Sequence, residues 1–420
     1  MANNLNSNVT RKVARVFLEA FESSRVLTKT VDTQLLSGKF NPSSGSTVDF
    51  KRPHDYNSIR TSGGDISSSD KSDIIAGKAT GTVQDYFTAA TEWGNVEEAL
   101  ELDQLDQIIE PMARRIVTDM ELDLGSFIRN NASLKYGTHG TAVDAWSDVA
   151  GAGATMDSVG VPMSDDKYYI MNPFTTTSLS SAQNGLNAAD GLVRTAWEKA
   201  QISQNFGGMM ALTSNALSSY TSGDSADRVG ALAATPDSTY VTAKDTMQQT
   251  LSISGLDGTV IKAGDMVTIA GVNRLNVATR QPIIDASGAQ VAWTGTVVAD
   301  ATITGGAATV VVSGAAIYEA NGQYNNVTAA PAITDVVTIL GAASTLYQPN
   351  LFYTKQAFGI GTVKLPKLYS TDTIATTSDG FSIRVSKYAD GDANTQKIRF
   401  DLLPAYACFN PLFAGQGFGV

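Results

Sequence analysis

The chain has 420 residues, 43% of them hydrophobic and 17% charged, and a formal net charge of −11 at pH 7. This is globular rather than disordered composition, and the length calls for roughly two to three domains. The acidic balance argues against a general nucleic-acid binder, because neutralising phosphates needs clustered Lys and Arg.

A single cysteine, Cys408, excludes an internal disulfide and Cys-rich zinc clusters. Its apolar neighbours, Ala407 and Phe409, mark it as a buried small hydrophobe. No run of about 18 apolar residues occurs, so no membrane span is expected. The opening "MANNLNSNVTRKVARVF" lacks the charged-then-apolar order of a signal peptide.

Residues 9–27 predict an amphipathic helix, with Val13, Phe17, Ala20 and Leu27 near one face and Arg11, Lys12, Arg15 and Glu19 polar. Residues 1–60 hold nine Lys/Arg against five Asp/Glu, opposite in sign to the whole chain. An acidic partner or a neighbouring copy is expected to dock there. Residues 46–92 predict a hairpin, with "STVDFKRP" and "GKATGTVQDYFTAATEW" as strand-like flanks of the polar tip "RTSGGDISSSDKSD". Such a tongue has little to bury in its own chain and is expected to lie on a neighbour.

Between 96 and 129, Leu102, Leu105, Ile109, Met112, Ile116, Met120, Leu124 and Phe127 recur at spacings of three and four, the strongest helical stripe in the sequence. One helix of that span would run about 50 Å. Pro111 either kinks it or begins a second, longer helix. Glu97, Glu98, Glu101, Asp103, Asp106 and Glu110 crowd the first part, where carboxylates favour the positive helix end, and read as a solvated or partner-facing surface.

Residues 140–217 alternate, with "DKYYIMNP" a strand running into a turn and "AADGLVRTAWEKAQI" a helix. Residues 218–346 then carry 13 glycines and the Thr/Val strands "QQTLSISG", "GDMVTIAGV", "AWTGTVVAD", "AATVVVSG" and "DVVTILG". Turn signals recur roughly every 8–12 residues, as in an all-β barrel or sandwich. "LFYTKQAFGIGTVKLPKLY" returns to mixed texture, so a small β domain is inserted into an α+β host.

No reactive constellation is found. His54 and His139 read as surface residues without a triad setting. Gly151-Ala152-Gly153 opens like a dinucleotide fingerprint, but Met156 breaks it. Asp390-x-Asp392-x-Asn394 matches the first ligand positions of a calcium loop, yet Thr395 replaces the turn glycine and Asp401 the bidentate Glu. Its flanks, "FSIRVSKYA" and "QKIRFDLLPAY", alternate like paired strands, so the run is a hairpin tip, with adventitious calcium the lesser alternative. No catalytic residue, cofactor or metal site is expected.

The order of these parts, with "VDFKRPHDYNSIRTSGGDIS", "GKATGTVQDY", "ARRIVTDMELDL", "DGLVRTAWEKAQI", "FGG", "IKAGDMVTIAGV", "QPNLFYTKQAFGIG" and "KYADGDANTQKIRFDLLPAYACFNP", resembles the major coat proteins of short-tailed, lambdoid-type bacteriophages with an inserted domain. The resemblance covers nearly the whole chain and implies the Hong Kong 97-type (HK97-like) capsid fold, an α+β class. It implies an N-terminal arm at 1–45, an extended loop at 46–92, and a peripheral domain at 93–135 and 366–400 containing the spine helix. An axial domain would take 136–217, 347–365 and 401–420, and a β-barrel insertion domain 218–346.

The implied role is structural. Hexamers and pentamers of the chain would assemble with a scaffolding protein into an icosahedral shell in the host cytoplasm. DNA would enter through a portal and touch the shell only non-specifically, and the shell would expand; no membrane is involved and the protein resides in the virion. Lys51, Arg52 and Arg60 are expected to meet acidic surface on a neighbour, with Glu97, Glu98 and Glu101 as candidates. Lys244 and Asp245 are expected to meet a neighbouring capsomer, and Arg11, Lys12 and Arg15 to dock a scaffold or neighbour. The alternative is a β-rich carbohydrate-binding or adhesin-like surface module.

Overall fold

The computed structural model describes residues 6–36, 45–94, 105–184, 202, 204–369, 372–390, 392 and 395–420. The chain divides into two compact units. The first joins Met1–Val48, Gly81–Gly125 and Phe358–Ala407; the second joins Asp49–Thr80, Ser126–Ala357 and Cys408–Val420.

The first unit is built on an antiparallel sheet in the order Thr373–Thr376, Ser382–Asp390, Thr395–Leu402, Phe87–Gly94. Asp390 faces Thr395 across the tip of the predicted hairpin. The backbone N–H of Asp392 donates to Asp390 Oδ1 at 3.1 Å, as a turn requires, while Asn394 lies outside the described residues. The flank expected as one strand is two. Lys78–Val83 and Phe87–Gly94 enter different sheets, with residues 81–83 pairing 405–407 instead.

The predicted N-terminal helix spans Asn6–Ser24. Phe17 stacks on Phe400 at 4.2 Å and Phe21 meets Phe381 at 5.8 Å, so the helix roofs one face of the sheet. Leu27 lies beyond it, buried in a 3-10 turn, Leu27–Lys29. That turn is held by Glu121, whose buried carboxylate accepts the backbone N–H groups of Val26 and Thr28. The apolar face expected of this helix is therefore real, with Phe17 and Phe21 both fully buried.

The long helix is described over Leu105–Asn131. Pro111 sits inside it, so no second helix begins there. Ile109, Ile116, Met120 and Leu124 are buried as the stripe predicts. Its outer face carries the i,i+4 pairs Glu110–Arg114 and Arg115–Asp119. Leu102 and the expected helix at 188–202, except Ile202, lie outside the described residues.

In the second unit, a six-stranded sheet runs in the order Leu134–Tyr136, Ala414–Gly417, Asn350–Thr354, Lys167–Met171, Met209–Thr213, Asn205–Phe206. The predicted strand at "DKYYIMNP" is Lys167–Met171, and Asn172 then caps the helix Pro173–Asn184 by accepting the N–H of Thr175 at 2.7 Å. Gly151 and Gly153 lie inside the helix Trp146–Val159. A Cβ on Gly151 would fall 2.0 Å from the Tyr136 ring, so this glycine serves close packing rather than a phosphate.

The inserted region closes into a six-stranded barrel. Gln248–Ser254 pairs with Ala307–Ser313, then Ala292–Val297, Met266–Asn273, Val336–Ile339 and Val229–Leu232, which returns to the first. Leu251, Ile253, Val267, Ile269, Val310, Val312 and Trp293 fill it, and Trp293 Nε1 donates to Gly314 O at 2.9 Å. Five of the six strands coincide with the Thr/Val runs; Val229–Leu232 does not.

Candidate functional site

The tongue is an extended feature of the second unit. Residues 52–77 form neither helix nor strand, and Tyr56, Ile59, Ile66 and Ile74 are exposed, Ile74 at 77%. Local turns shape the tip: Asp65 Oδ1 accepts the N–H of Ser67 at 2.9 Å, Gly64 takes φ 72, and Ser72 Oγ accepts the N–H of Asn57 at 2.9 Å.

The base of the tongue is pinned within its own chain. Arg52 N donates to Gly77 O at 2.9 Å, its Nε to Lys78 O at 3.1 Å, and its Nη1 to Phe409 O. Burial lowers the Arg52 pKa. Lys78 and Thr80 bind the Asp49 carboxylate at 2.9 and 2.6 Å and hold it below the usual carboxylate range. A Cβ on Gly77 would lie 2.8 Å from Lys244 O. Lys244 pairs with the adjacent Asp245 at 2.7 Å and holds that carboxyl low, with the Lys78 backbone contributing.

Higher up, the tongue meets loops of the inserted region that lie between the barrel strands. Arg280 pairs with Asp55. Asp55 N donates to Tyr324 Oη at 3.3 Å, Asn57 Nδ2 to Asn321 O at 2.7 Å, and Gln323 Nε2 to Asp73 O at 2.6 Å. Beside these contacts lies an open cleft of about 1040 Å³. The tongue, expected to have little to bury in its own chain, thus makes polar contacts along its own insertion through Asp55, Asn57 and Asp73.

The predicted contact residues separate into three groups. Lys51 and Arg60 are exposed, as is Arg15 on the N-terminal helix. Arg52, Lys244 and Asp245 gather at the tongue base. Glu97, Glu98 and Glu101 lie outside the described residues, as do the side chains of Arg11 and Lys12. Arg280, Gln323 and Tyr324 were missed by sequence reasoning; their loops carry no pattern that separates them from ordinary turns.

His54 is exposed, and His139 is half-buried. Its ring lies 4.2 Å from Phe418 and 5.3 Å from Tyr347, and its Nε2 is 3.4 Å from Tyr220 Oη. Burial, then Lys135 and Arg228, push its pKa down to about 3. Cys408 is half-buried and unpaired in a disulfide, and burial pushes its thiol up to about 12. Among the described residues no group of three or more His, Cys, Asp or Glu is arranged to hold a metal ion. No described helix is long and apolar enough to cross a membrane.

A family model described as P22 coat protein, gene protein 5, matches residues 1–419. The chain is 47% identical to the major capsid protein of Acyrthosiphon pisum secondary endosymbiont phage 1 over 424 residues, all of both chains. Among solved structures it is similar to the capsid of Cyanophage P-SCSP1u, with a TM-score of 0.45 and 12% identity over 93% of this chain and 86% of that one. It is also similar to the capsid of Ralstonia phage GP4, with a TM-score of 0.44 and 8% identity over 94% and 91%.

Proposed function

The chain belongs to the P22 coat protein family, and from that premise we propose that it assembles with a scaffolding protein into an icosahedral shell that receives double-stranded DNA and expands on maturation. It is a phage major capsid protein, a structural component of the virion and not an enzyme. The family weighs against the glycan-binding alternative.

One observation carries the finer reading: the tongue presents Tyr56, Ile59, Ile66 and Ile74 outward on a segment without helix or strand. Four apolar side chains uncovered along one extended segment offer a surface that another copy can cover. In a closed lattice each such overlap is modest, and multiplicity makes the shell strong. The reading assigns 46–92 to the extended loop and 1–45 to the arm. The peripheral domain takes 93–135 and 366–400, the axial domain 136–217, 347–365 and 401–420, and the insertion 218–346. Lys51 and Arg60 contact neighbours, and domain pivoting supplies expansion without new chemistry.

The test is to express the chain with and without its scaffold and image the product. Closed shells that are lost when residues 56–74 are replaced by a short Gly/Ser linker support the reading. A monomer under every condition, or shells indifferent to that replacement, overturns it.

A further inference from the structure

We propose that the inserted barrel is a rest that aims the tongue: Arg280 and the 319–325 loop of one subunit hold that same subunit's tongue in the direction from which it engages a second copy. The inference deepens the shell reading and rests on it.

The rest is built rather than incidental. Arg280 has φ 57, a left-handed conformation uncommon for a residue with a side chain, and the Asn276 turn holds it there through Arg280 N to Asn276 O at 2.9 Å. Its guanidinium reaches three acceptors, the Asp55 carboxylate, Gln323 O and Asn325 O. A planar fork meeting fixed acceptors gives direction as well as attraction.

The receiving loop is equally constrained. Asn325 Nδ2 donates to Glu319 O at 2.8 Å while its Oδ1 accepts the N–H of Glu319 at 2.8 Å. Asn326 bridges Ala315 O and the Ile317 N–H, both at 2.8 Å. Tyr324 stacks on Tyr240 at 3.6 Å, with 11° between the rings. This loop holds the tongue on both limbs of its path, at Asp55 and Asn57 going out and at Asp73 coming back. Such two-sided holding fixes a direction that 26 residues without helix or strand, 52–77, would not keep alone.

Holding the tongue before contact removes part of the ordering cost at assembly. The rest leaves Tyr56, Ile59, Ile66 and Ile74 uncovered, so the partner it serves is an apolar surface of a second copy. Asp55 and Arg280 are positioning residues here and need not touch that copy.

Full-length Arg280→Ala and Asp55→Arg are expected to raise the subunit concentration needed for closed shells about tenfold, the scale of one charge-assisted contact. Urea unfolding should be nearly unchanged, since the pair is partly exposed. The reversal Asp55→Arg with Arg280→Asp in one chain should restore part of the assembly, since the ion pair returns while the bonds to Gln323 O and Asn325 O do not. Co-expressing the two single reversals in separate chains should not, because the pair is made within a subunit. Rescue in separate chains would overturn the proposal by placing the contact between copies. Normal assembly of both single variants would also overturn it, while the Gly/Ser tongue replacement independently tests whether the tongue matters at all.

Discussion

Arg384 and Asp401 face each other across neighbouring strands, and both Nε and Nη2 of the arginine reach Asp401 Oδ2, at 3.1 and 2.6 Å. Arg399 Nε and Thr88 Oγ1 fill the other oxygen at 2.6 and 2.7 Å. Both Arg384 and Asp401 are buried, so removing either one strands the charge of the other. Asp401→Asn should cost about 3 kcal/mol in urea unfolding by stranding the Arg384 charge. Arg399→Ala, at a half-exposed partner, should cost under about 1 kcal/mol.

The same carboxylate sets an acid limit. Burial works to raise its pKa, but Arg384, Arg399 and Thr88 together hold it below the usual value. A depressed carboxylate contributes stability above its unfolded pKa, about 3.9, and loses it as pH falls through the folded value. Stability of the wild-type chain should therefore drop on the acid side of about pH 4. Unfolding curves for Asp401→Asn should start lower and show less of that drop.

This network was hidden from sequence because charges on alternating strand positions look like a solvated face. Asp401 drew notice only as a misplaced calcium-loop residue, although the hairpin around it was legible from its alternation and its Asp/Gly/Asn tip. The barrel was legible where Thr and Val cluster between turn signals, as in Ala307–Ser313, and not at Val229–Leu232, whose Gly230 and Ala231 dilute the pattern. The two strands after the tongue merged because Asp85 is a lone turn former between Gln84 and Tyr86, with no Gly or Pro beside it. The tongue was legible as an extension, but its rest was not. Asp55 and Arg280 are 225 positions apart, and nothing local in either pairs them.

The N-terminal helix makes a separate prediction. With Phe17 fully buried against Phe400, Phe17→Ala should cost about 3–5 kcal/mol locally. Limited proteolysis should then release the first turns of the chain at protease levels that leave the wild type intact. Equal cleavage of both proteins would show that the arm is not docked.

His139 predicts a second pH effect of the same sign over a different window. Its folded pKa, about 3, lies below the ordinary histidine value of about 6.5. Between these values the unfolded chain binds a proton that the folded chain refuses, so stability falls as pH drops from about 6.5. His139→Phe keeps the aromatic contacts with Tyr347 and Phe418 while removing the titration. Melting curves should show the wild type losing more stability than the variant between pH 6.5 and 4, and parallel curves would exclude this origin.

The barrel also terminates the long helix. A helix end leaves carbonyls without intrahelical donors, and burying them unpaired is costly. Here Ser313 Oγ donates to Asn131 O at 2.8 Å, Thr296 Oγ1 to Ala132 O, and Thr294 Oγ1 and Arg274 Nη2 to Ser133 O, both at 2.7 Å. Three hydroxyls and one guanidinium thus satisfy the carbonyl of the last helical residue, Asn131, and those of the two residues after it. Arg274 is fully enclosed, and burial lowers its pKa to about 9, so it remains charged at neutral pH. Thr296→Val preserves shape and removes only the donor; it should cost about 1–3 kcal/mol. Adding Ser313→Ala should cost less than a second full increment, because the two positions are paired neighbours and share one site. Trp293 emission should stay that of a buried indole in both variants, since the barrel interior is untouched. An unchanged unfolding midpoint would mean that water supplies these carbonyls equally well.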